Sequence, residues 1–416
     1  MRILYVHQFF AGPNSPGPAQ PRALVRRLAE RGHAVEVVAC DLNAYNEQTE
    51  PEETHATPSG GSIRVHRLPV PRGLRASLSN RLKTYGRFAW SAYRFGRRLP
   101  VPDVVMSSIQ PLFGGWAALR LARRWRRPFL LEIRDLWPDA LVVKKAIAPW
   151  QAMPLEAIAR SLYFGADRVV CLTPGLKTEI LRKGVPSARV DLFPNGFDES
   201  LFQLEPGTRE KTRARFGWND QFVAVYTGTH TEVTAIETIV RAGEALRARR
   251  DVRIDLFGAG HTKPKAMALA KELGLENVHF HDAVSKSEIP AILAGADAGL
   301  MTLFRSPLIH IYFENKFIDY MGARLPILAA MEGVQVDLIR RCGAGQIVPT
   351  FDHEGLARLI ADAADHPERC REMGEAGRRF IGTRLVQRQI LDRYGDVLEA
   401  MARGEIDRVP TWDPFQ

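Results

Sequence analysis

The segment from Ser306 to Ala330 brings together residue types that suit a nucleotide diphosphate. Glu314, Asn315 and Lys316 form a polar entry to a helix-like apolar run. The first turn of a helix offers backbone N–H groups without intrahelical partners, and with a lysine beside them it suits a diphosphate. Asp319, one turn further along, is a carboxylate that can accept hydrogen bonds from a ribose diol. The alternative is a surface helix with an exposed lysine and a local cap.

Two glycine-containing turns follow strand-like segments in the second half of the chain. Gly228, Thr229 and His230 follow the first of these strands, and the tripeptide G-A-G that starts at Gly258 follows the next. Glycine permits positive φ and close approach of the backbone to a ligand. Because the third glycine of a dinucleotide fingerprint is absent, ordinary tight turns remain the alternative.

In the first half, the hexapeptide RDLWPD follows an apolar strand directly, so its charged residues are expected at the carboxyl end of that strand. Asp135 could orient or deprotonate a hydroxyl group, and Arg134 could grip a phosphate. The alternative is an Arg–Asp pair that only organises the loop. A further loop, from Gly12 to Arg22, is rich in glycine and proline, and Arg22 lies one turn into the following helix.

The positive charge of the chain is concentrated in its first third. The net charge is +10, but residues 1–130 hold 20 basic and 8 acidic residues, and the remainder has a net charge of −2. Residues 64–127 contain 15 lysines and arginines and a single acid, Asp103. A one-sided basic surface attracts polyanions such as anionic lipid, nucleic acid or phosphorylated substrates.

Residues 78–99 within this basic region are predicted to form an amphipathic helix. Leu78, Leu82, Tyr85, Ala89, Ala92 and Leu99 share one face. Aromatic residues beside cations on the other face suit a membrane interface with anionic headgroups, although a solvated basic face is the alternative. The residues that we expect at the membrane are Arg87, Trp90, Arg94, Arg97 and Arg98.

The alternation of strand-like and helix-like segments predicts two parallel, doubly wound sheets. A chain of 416 residues is long enough for two domains. Ligands of such sheets bind outside the carboxyl ends of the strands, so a cleft between two facing sheets is the expected site. Residues 41–62 are polar and are expected to form a loop. The predicted bounds are 1–195 for the first domain, 196–385 for the second domain and 386–416 for a C-terminal helix.

No apolar run reaches the length of a transmembrane helix, and MRILYVHQFF is typical of a buried first strand rather than a secretion signal. The four cysteines lie far apart without a C-x-x-C pair, which favours a reducing compartment. His279 and His281 lie on one strand face, but two ligands without a neighbouring cluster are too few for a metal site.

The chain resembles the family-four glycosyltransferases of the GT-B fold, in the order RGHAVEVV, RDLWPD, PNGFD and NKFIDY. The RDLWP motif is similar to that of bacterial surface-polysaccharide transferases of the colanic acid and O-antigen type. In the family, a glutamate usually lies eight residues before the second carboxylate. Ile311 follows His310 at that position here, so the usual carboxylate for the donor sugar has no equivalent.

This resemblance assigns roles to individual residues. It implies that Lys316 stabilises the leaving diphosphate and that Gly228, Thr229, His230, Gly258, Asn315 and Asp319 bind the donor. Glu314 lies where the family has a small residue beside the phosphate, so its side chain is expected to turn away or to bind the donor sugar from an unusual angle. The loop that contains Val284 is expected to contact the base, and Lys263 or Lys265 to replace a missing arginine. Gly17 and Arg22 correspond to the acceptor loop. In the family, the first domain binds the acceptor, the second binds the nucleotide sugar, and the last helix crosses back to the first domain.

The resemblance implies a retaining transfer from a nucleotide diphosphate sugar, with a UDP-sugar favoured over a GDP-sugar. The expected acceptor is a saccharide linked to polyprenyl diphosphate, at the cytoplasmic face of the membrane, where the protein would be peripheral. We expect no metal, no cofactor and no nucleic acid. A nucleotide-dependent oxidoreductase and a non-catalytic polyanion-binding protein are the alternatives, but the chain lacks a full glycine fingerprint and any nucleic-acid motif.

Overall fold

Two separate sheets form the framework of the protein in a computed structural model. Each sheet belongs to its own unit, the first comprising Met1–Asn195 with Arg388–Gln416 and the second Gly196–Gln387. The structure describes residues 1–13, 15, 17–74, 76–143 and 145–415.

The strands coincide with short apolar segments that are rich in β-branched residues. Strands β1 to β8 form the first sheet, and β9 to β14 form the second. Their bounds are β1 Arg2–Val6, β2 Ala34–Cys40, β3 Glu53–Ala56, β4 Ser62–Leu68, β5 Val104–Ser108, β6 Phe129–Ile133, β7 Arg168–Cys171, β8 Val190–Leu192, β9 Phe222–Thr227, β10 Val252–Phe257, β11 Val278–His281, β12 Ala298–Thr302, β13 Ile327–Ala330 and β14 Gly345–Val348.

Helices connect most of these strands, as parallel pairing requires. No described helix is long and apolar enough to span a membrane. The helices are α1 Gln20–Glu30, α2 Leu78–Gly96, α3 Leu112–Trp125, α4 Asp139–Val143, α5 Pro149–Gly165, α6 Pro174–Arg182, α7 Thr208–Phe216, α8 Glu237–Ala245, α9 Lys263–Glu272, α10 Ile289–Gly295, α11 Lys316–Gly322, α12 Val334–Cys342, α13 His353–Asp365, α14 Pro367–Arg384 and α15 Gln387–Arg403.

The first sheet has the order β3-β4-β2-β1-β5-β6-β7-β8. All neighbouring strands are parallel except β3, which is antiparallel to β4. The prediction of a loop over residues 41–62 is therefore wrong at Glu53–Ala56. This edge strand exposes most of its side chains, so it carries no alternation of apolar and polar residues that sequence analysis could detect.

The second sheet is fully parallel, with the order β11-β10-β9-β12-β13-β14. In both sheets the first strand lies in the interior. The strands that follow it directly in the chain lie on one side of it, and the later strands lie on the other side. The resulting switch points lie between β1 and β5 and between β9 and β12, where the connections diverge and leave room for a ligand. The predicted α/β architecture of two doubly wound, Rossmann-like domains is confirmed.

Helices cover both faces of the first sheet. Side chains of β1 such as Ile3 and Tyr5 pack with α1 and α15 in one buried cluster. Successive strand residues point to opposite faces, and on the other face α3 packs against β1, β5 and β6, with α2 and α5 beside it. Helix α15 contributes an apolar stripe that includes Tyr394, Val397 and Leu398.

The second sheet is also covered on both faces. A buried cluster joins α8, α9 and α13 to β9, β10, β12 and β13. On the opposite face, the ring of Tyr320 on α11 lies against Gly299 of β12, where any side chain would overlap it. Helix α11 packs in turn against α10 and α14.

Ion pairs hold the C-terminal segment, Arg388–Gln416, against the rest of the first unit. Arg31 donates from Nη2 to the carboxylates of Asp396, at 2.7 Å, and Glu399, at 2.6 Å. Further along, Asp191 is fully buried and accepts hydrogen bonds from Arg168 Nε at 2.6 Å and from the backbone N–H of Trp412 at 2.9 Å. These contacts join β7, β8 and the C-terminal tail.

Replacing Asp191 with alanine should strongly destabilise the first unit. Arg168 would keep its buried positive charge without a counter-ion, a situation that typically costs about 3 to 5 kcal/mol. Chemical denaturation followed by circular dichroism should show a clearly lower unfolding midpoint. Asp251→Ala, which removes an exposed pair with Arg249, is the control and should cost less than about 1 kcal/mol. Equal midpoints for the two variants would contradict this account.

Candidate functional site

The two glycine turns of the second unit lie against each other at the carboxyl ends of β9 and β10. The backbone N–H of His230 donates to the carbonyl oxygen of Ala259 at 2.9 Å. A side chain at Gly258, where φ is +155°, would overlap the carbonyl of Gly228, and one at Gly260 would overlap the carbonyl of His230. Glycine is therefore required at Gly258 and Gly260 because two backbones approach closely.

Gly228 faces a different neighbour, the side chain of Lys316. A Cβ at Gly228 would lie 3.0 Å from Lys316 Cε, so the absence of a side chain allows the lysine to reach the end of β9. The Lys316 ammonium lies 4.9 Å from the centre of the Tyr226 ring. The lysine side chain is only 5% exposed, which excludes the alternative of an exposed surface lysine.

The ammonium of Lys316 is paired with Glu314, its neighbour in the polar entry to α11. Nζ donates to Glu314 Oε2 at 2.5 Å. Burial acts to lower the pKa of Lys316, but the Glu314 carboxylate and the nearby tyrosines outweigh it, and the pKa is raised. Lys316 is therefore a permanently charged cation in a largely water-free position.

Buried polar contacts hold this part of the chain in place. Tyr320 on α11 accepts from the backbone N–H of Thr227 at 2.9 Å and donates to the carbonyl of Leu300 at 3.2 Å, which ties the helix to β9 and β12. Gln335, which is fully buried, accepts from the Glu314 N–H at 2.8 Å and donates to the Glu314 carbonyl at 3.0 Å. Lys316 and Glu314 are thus positioned by the sheet and by α12.

Asp319 lies on α11, one turn after Lys316, and is half-buried. Burial raises its pKa, while Lys286 and Lys316 act in the opposite direction. Within the described residues, no hydrogen bond reaches its carboxylate. The carboxylate can therefore accept hydrogen bonds from a ligand. Asn315 precedes the helix and is exposed.

His230 is fully buried beside the rings of Tyr226 and Phe280. Neither ring nitrogen has a hydrogen-bond partner in the part of the chain that the structure describes. Burial, together with Lys263 and Lys316, lowers its pKa to about 4, so the imidazole is neutral at pH 7. Thr229, just before it, accepts from the Tyr226 hydroxyl through its carbonyl at 2.8 Å.

Lys263 ties together the loops that follow β10 and β11. Its ammonium donates to the carbonyls of Gly258 at 3.1 Å and His281 at 2.8 Å and to Asp282 Oδ1 at 3.1 Å. All three donors are used, so in this state the lysine positions the loop that contains the half-buried Val284. Among the described residues, no group of three or more histidines, cysteines or acids could hold a metal ion.

In the first unit, Arg134 belongs to a buried polar network at the carboxyl ends of β1 and β6. Its Nη1 donates to Glu132 Oε1 and to Gln20 Oε1, both at 3.2 Å. Glu132 also accepts from the Tyr5 hydroxyl at 3.1 Å. Asp135 accepts from Gln110 Nε2 at 2.5 Å, at the start of the connection after β5. The geometry therefore joins Arg134 to Glu132 rather than to Asp135.

His7 and Gln8, which directly follow β1, are polar residues that none of the predicted sites includes. Both are buried, and burial, with Arg134 and Arg67 nearby, lowers the pKa of His7 to about 3. Both polar atoms of the Gln8 amide lack a partner among the described atoms. Their position at a carboxyl strand end is the signal that identified Arg134, and the same rule would have found them.

The predicted acceptor loop is held by Arg22. The guanidinium donates to both carboxylate oxygens of Glu53 at 2.9 Å and to the Ala11 carbonyl, and it lies 4.9 Å from the Phe10 ring centre. These contacts fix the loop to β3. Gly17 has φ +158°, and a Cβ there would lie 2.7 Å from the Ala11 Cβ. Asn14 and Pro16, also in this predicted loop, lie outside the described residues.

Helix α2 turns its basic side outward. Tyr85, Ala89 and Ala92 are buried as predicted, whereas Leu82 lies at the margin of the buried stripe and is 43% exposed. The helix ends at Gly96, so Leu99 lies beyond it, and the Leu78 side chain is outside the described part. The predicted membrane residues that are exposed are Arg87, Trp90, Arg94, Arg97 and Arg98.

Comparisons with known proteins match both units. Residues 19–196 match the family described as "Glycosyl transferase 4-like domain", and residues 221–366 match "Glycosyl transferases group 1". Among solved structures, HepE of Anabaena in complex with UDP and glucose has a TM-score of 0.71 at 14% identity, over 96% of this chain and 99% of that one. Sucrose-phosphate synthase of Thermosynechococcus elongatus has a TM-score of 0.74 at 19% identity, over 97% and 99%.

Curated relatives are more similar in sequence but match over shorter spans. "Putative colanic acid biosynthesis glycosyl transferase WcaI" of Escherichia coli is 25% identical over 67% of this chain and 70% of its own length. D-rhamnosyltransferase WbpZ of Pseudomonas aeruginosa is 25% identical over 50% and 52%, so the chain spans about half of that relative. The two family matches together cover most of the chain, and the structural neighbours share its fold. This protein therefore belongs to the family-four glycosyltransferases of the GT-B fold and resembles the bacterial surface-polysaccharide transferases among them.

Proposed function

We propose that this protein transfers a sugar from a nucleotide diphosphate sugar, with a UDP-sugar favoured, to a lipid-linked saccharide in polysaccharide biosynthesis. The observation that carries the proposal is the buried Lys316 ammonium at the switch point between β9 and β12, with Asp319 one turn further along α11. A cation and a carboxylate at this spacing match the diphosphate and the ribose of one nucleotide. The UDP bound by HepE supports the choice of base.

In this proposal Lys316 acts on the leaving group. Cleavage of the bond between the sugar and the diphosphate develops negative charge on the phosphate oxygens, and a buried, preorganised cation stabilises that charge strongly. Gly228 leaves space beside the lysine for a phosphate oxygen to approach. Asp319 accepts hydrogen bonds from the ribose, and the loop with Val284 contacts the base. Retention of anomeric configuration is proposed from the family resemblance.

The neutral His230 imidazole contributes in a different way from Lys316. Both of its ring nitrogens are buried and lack a partner among the described residues, so the imidazole offers a donor and an acceptor, without adding charge, once the adjoining glycine turns shift to admit the donor substrate. Its lowered pKa, at about 4, keeps it in this state at neutral pH. Lys263 supports the site by holding together the loops that follow β10 and β11.

The acceptor is proposed to bind at the carboxyl ends of the strands in the first unit. Asp135 is exposed and is proposed to orient or deprotonate the acceptor hydroxyl. Arg134 and Glu132 are paired with each other beside it at the end of β6. Gly17 and Arg22 shape the neighbouring loop. A polyprenyl-diphosphate-linked saccharide is the proposed acceptor, and the WcaI and WbpZ relatives, which are named for colanic acid biosynthesis and rhamnosyl transfer, support it.

Attachment to the inner face of the cell membrane is part of the same proposal, because a lipid-linked acceptor lies there. The exposed arginines of α2, with Trp90 beside them, supply contacts for anionic headgroups. In this proposal the protein is peripheral and lies on the cytoplasmic face of the membrane.

Thermal unfolding with added ligands tests the proposed donor. UDP, or GDP if the base differs, should raise the melting temperature, whereas NAD and a short DNA duplex should not. Asp319→Asn should reduce the UDP-induced shift because a charged acceptor for the ribose diol is lost. Stabilisation by NAD or DNA alone would overturn the proposal in favour of an oxidoreductase or a polyanion-binding protein.

Replacing Lys316 with methionine should lower kcat by roughly 100-fold or more while changing UDP affinity less, because the lost charge acts mainly on the leaving group. Methionine keeps the apolar stem against Tyr226. Steady-state kinetics and calorimetry separate the two effects. Lys271→Met, at an exposed lysine of α9, is the control and should behave like the wild type. An unchanged kcat in Lys316→Met would remove the lysine from the mechanism.

Glu314→Gln should strengthen the binding of UDP. The carboxylate now neutralises Lys316, and an incoming diphosphate must compete with it at close range. Removing the negative charge should therefore raise UDP affinity by roughly tenfold. Calorimetry measures the change, with Glu332→Gln at an exposed residue of the same unit as the control. Weaker binding in Glu314→Gln would mean that the carboxylate aligns the lysine for the diphosphate.

A further inference from the structure

Helix α5 presents the most exposed large apolar side chains of the described chain. Trp150 is 71% exposed and Met153 70%, and Phe164 at the other end of the helix is 41% exposed. Ala157 and Arg160, also exposed, lie between them at helical spacing, so the outward stripe runs the length of the helix. The opposite stripe is buried in the first unit. A soluble protein rarely leaves such a stripe facing water without a binding partner.

Helix α3 links this stripe to the basic face of α2. It packs against both α2 and α5 on the same side of the first sheet. Trp116 on α3 lies 6.5 Å from Tyr93 on α2, measured between ring centres. At the other border, a Cβ on Gly165 of α5 would lie 3.1 Å from Nη2 of Arg123 on α3. The three helices therefore form one continuous outer surface.

An arginine beside an exposed aromatic ring recurs on each of the three helices. Guanidinium carbons lie 4.7 to 5.9 Å from the ring centres. The pairs are Arg94 with Trp90, Arg120 with Trp116, and Arg160 with Phe164. An aromatic ring paired with a guanidinium is suited to the boundary between hydrocarbon and headgroups, because the ring is apolar and the guanidinium binds polar headgroups.

Negative charge is nearly absent from this surface. Helices α2 and α3 contain no acidic residue, and the single acid of α5, Glu156, is paired with Lys183 at 2.9 Å. Arginines dominate the polar positions instead. A positively charged surface attracts an anionic bilayer and repels a cationic or strongly basic partner.

We propose that α2, α3 and α5 form a single bilayer-binding face, in which α5 inserts Trp150 and Met153 into the membrane while α2 and α3 bind anionic headgroups. The proposal rests on the membrane attachment suggested under the proposed function and identifies an inserting element that the basic face of α2 alone does not supply. Nucleic acid shares the attraction to arginine, but it offers no apolar environment to the side chains of α5. The α5 stripe therefore favours lipid as the partner.

The two parts of the face should respond differently to salt. Headgroup attraction by exposed arginines is screened at distances beyond a Debye length of about 10 Å at 0.1 M salt. Insertion of apolar side chains does not depend on ionic strength in this way. Part of the binding should therefore persist at high salt, and it should be the part that depends on α5.

Vesicle flotation tests the proposal with the full chain and no nucleotide present. Vesicles of phosphatidylcholine with about one third phosphatidylglycerol should bind the wild type, whereas phosphatidylcholine alone should bind it weakly. Trp150→Ser combined with Met153→Ser should weaken binding by roughly tenfold and remove the salt-resistant part. The matched control, Leu204→Ser with Met267→Ser, removes two exposed apolar side chains of the second unit and should bind like the wild type.

Quenching by brominated lipids tests insertion directly. Tryptophan fluorescence of the wild type should fall on binding to vesicles with brominated acyl chains, and Trp150→Phe should lose much of that quenching while still binding. Vesicle binding that is unaffected by Trp150→Ser with Met153→Ser would overturn the proposal. So would a dimer, seen by sedimentation velocity, that the same variant dissolves, because the stripe would then pack against a second copy.

The result is separable from the transferase proposal. Stabilisation by UDP in the same preparation reports on the donor site and does not involve α5. Protein that is stabilised by UDP but does not bind anionic vesicles would refute the bilayer-binding face alone. Protein that binds vesicles through α5 but does not respond to any nucleotide would refute the proposed donor and leave the face intact.

Discussion

The buried pair of Lys316 and Glu314 is the interaction on which the candidate site depends. An ammonium that is almost fully removed from water is costly unless a counter-charge and polar contacts compensate it. Glu314 supplies the charge and the Tyr226 ring supplies a favourable face. Tyr320 then fastens α11 to β9 and β12, and Gln335 fastens the Glu314 backbone to α12. Each of these contacts keeps the cation at the carboxyl ends of the strands.

Both units bury paired charges, as the first does with Arg168 and Asp191, but the first also exposes many arginines on its outer helices. In the second unit single charges are buried at defined positions, and each is held by named partners, as Lys263 is by two carbonyls and Asp282. In the first unit many arginines lie on the outer helices without a comparable set of acids. Buried charges bind a ligand at one defined position. Many exposed charges instead attract an extended partner without requiring a specific geometry. This division supports the proposal that the second unit binds a small donor and the first unit a membrane-borne acceptor.

Patterns in the sequence were most informative where residues are buried in regular elements. The segments at Ile3, Val35, Phe129 and Phe222 form strands because their continuous apolar and β-branched side chains are buried on both faces of a parallel sheet. Strand β3 was missed because an exposed edge strand leaves no such pattern. The apolar spacing predicts that α2 ends at Leu99, whereas it ends at Gly96, because helix ends depend on local hydrogen bonds that periodicity does not report.

The sequence by itself determined the doubly wound architecture, the family and the presence of a lysine and an acid one turn apart, because these follow from short-range patterns along the chain. Only the tertiary structure decided that Lys316 is buried and paired with Glu314 rather than exposed, and that Arg134 joins Glu132 and Gln20. It alone also placed α3 between α2 and α5. The physical reason is that burial, ion pairing and helix neighbours depend on residues far apart in the chain, which come together only when the sheets form.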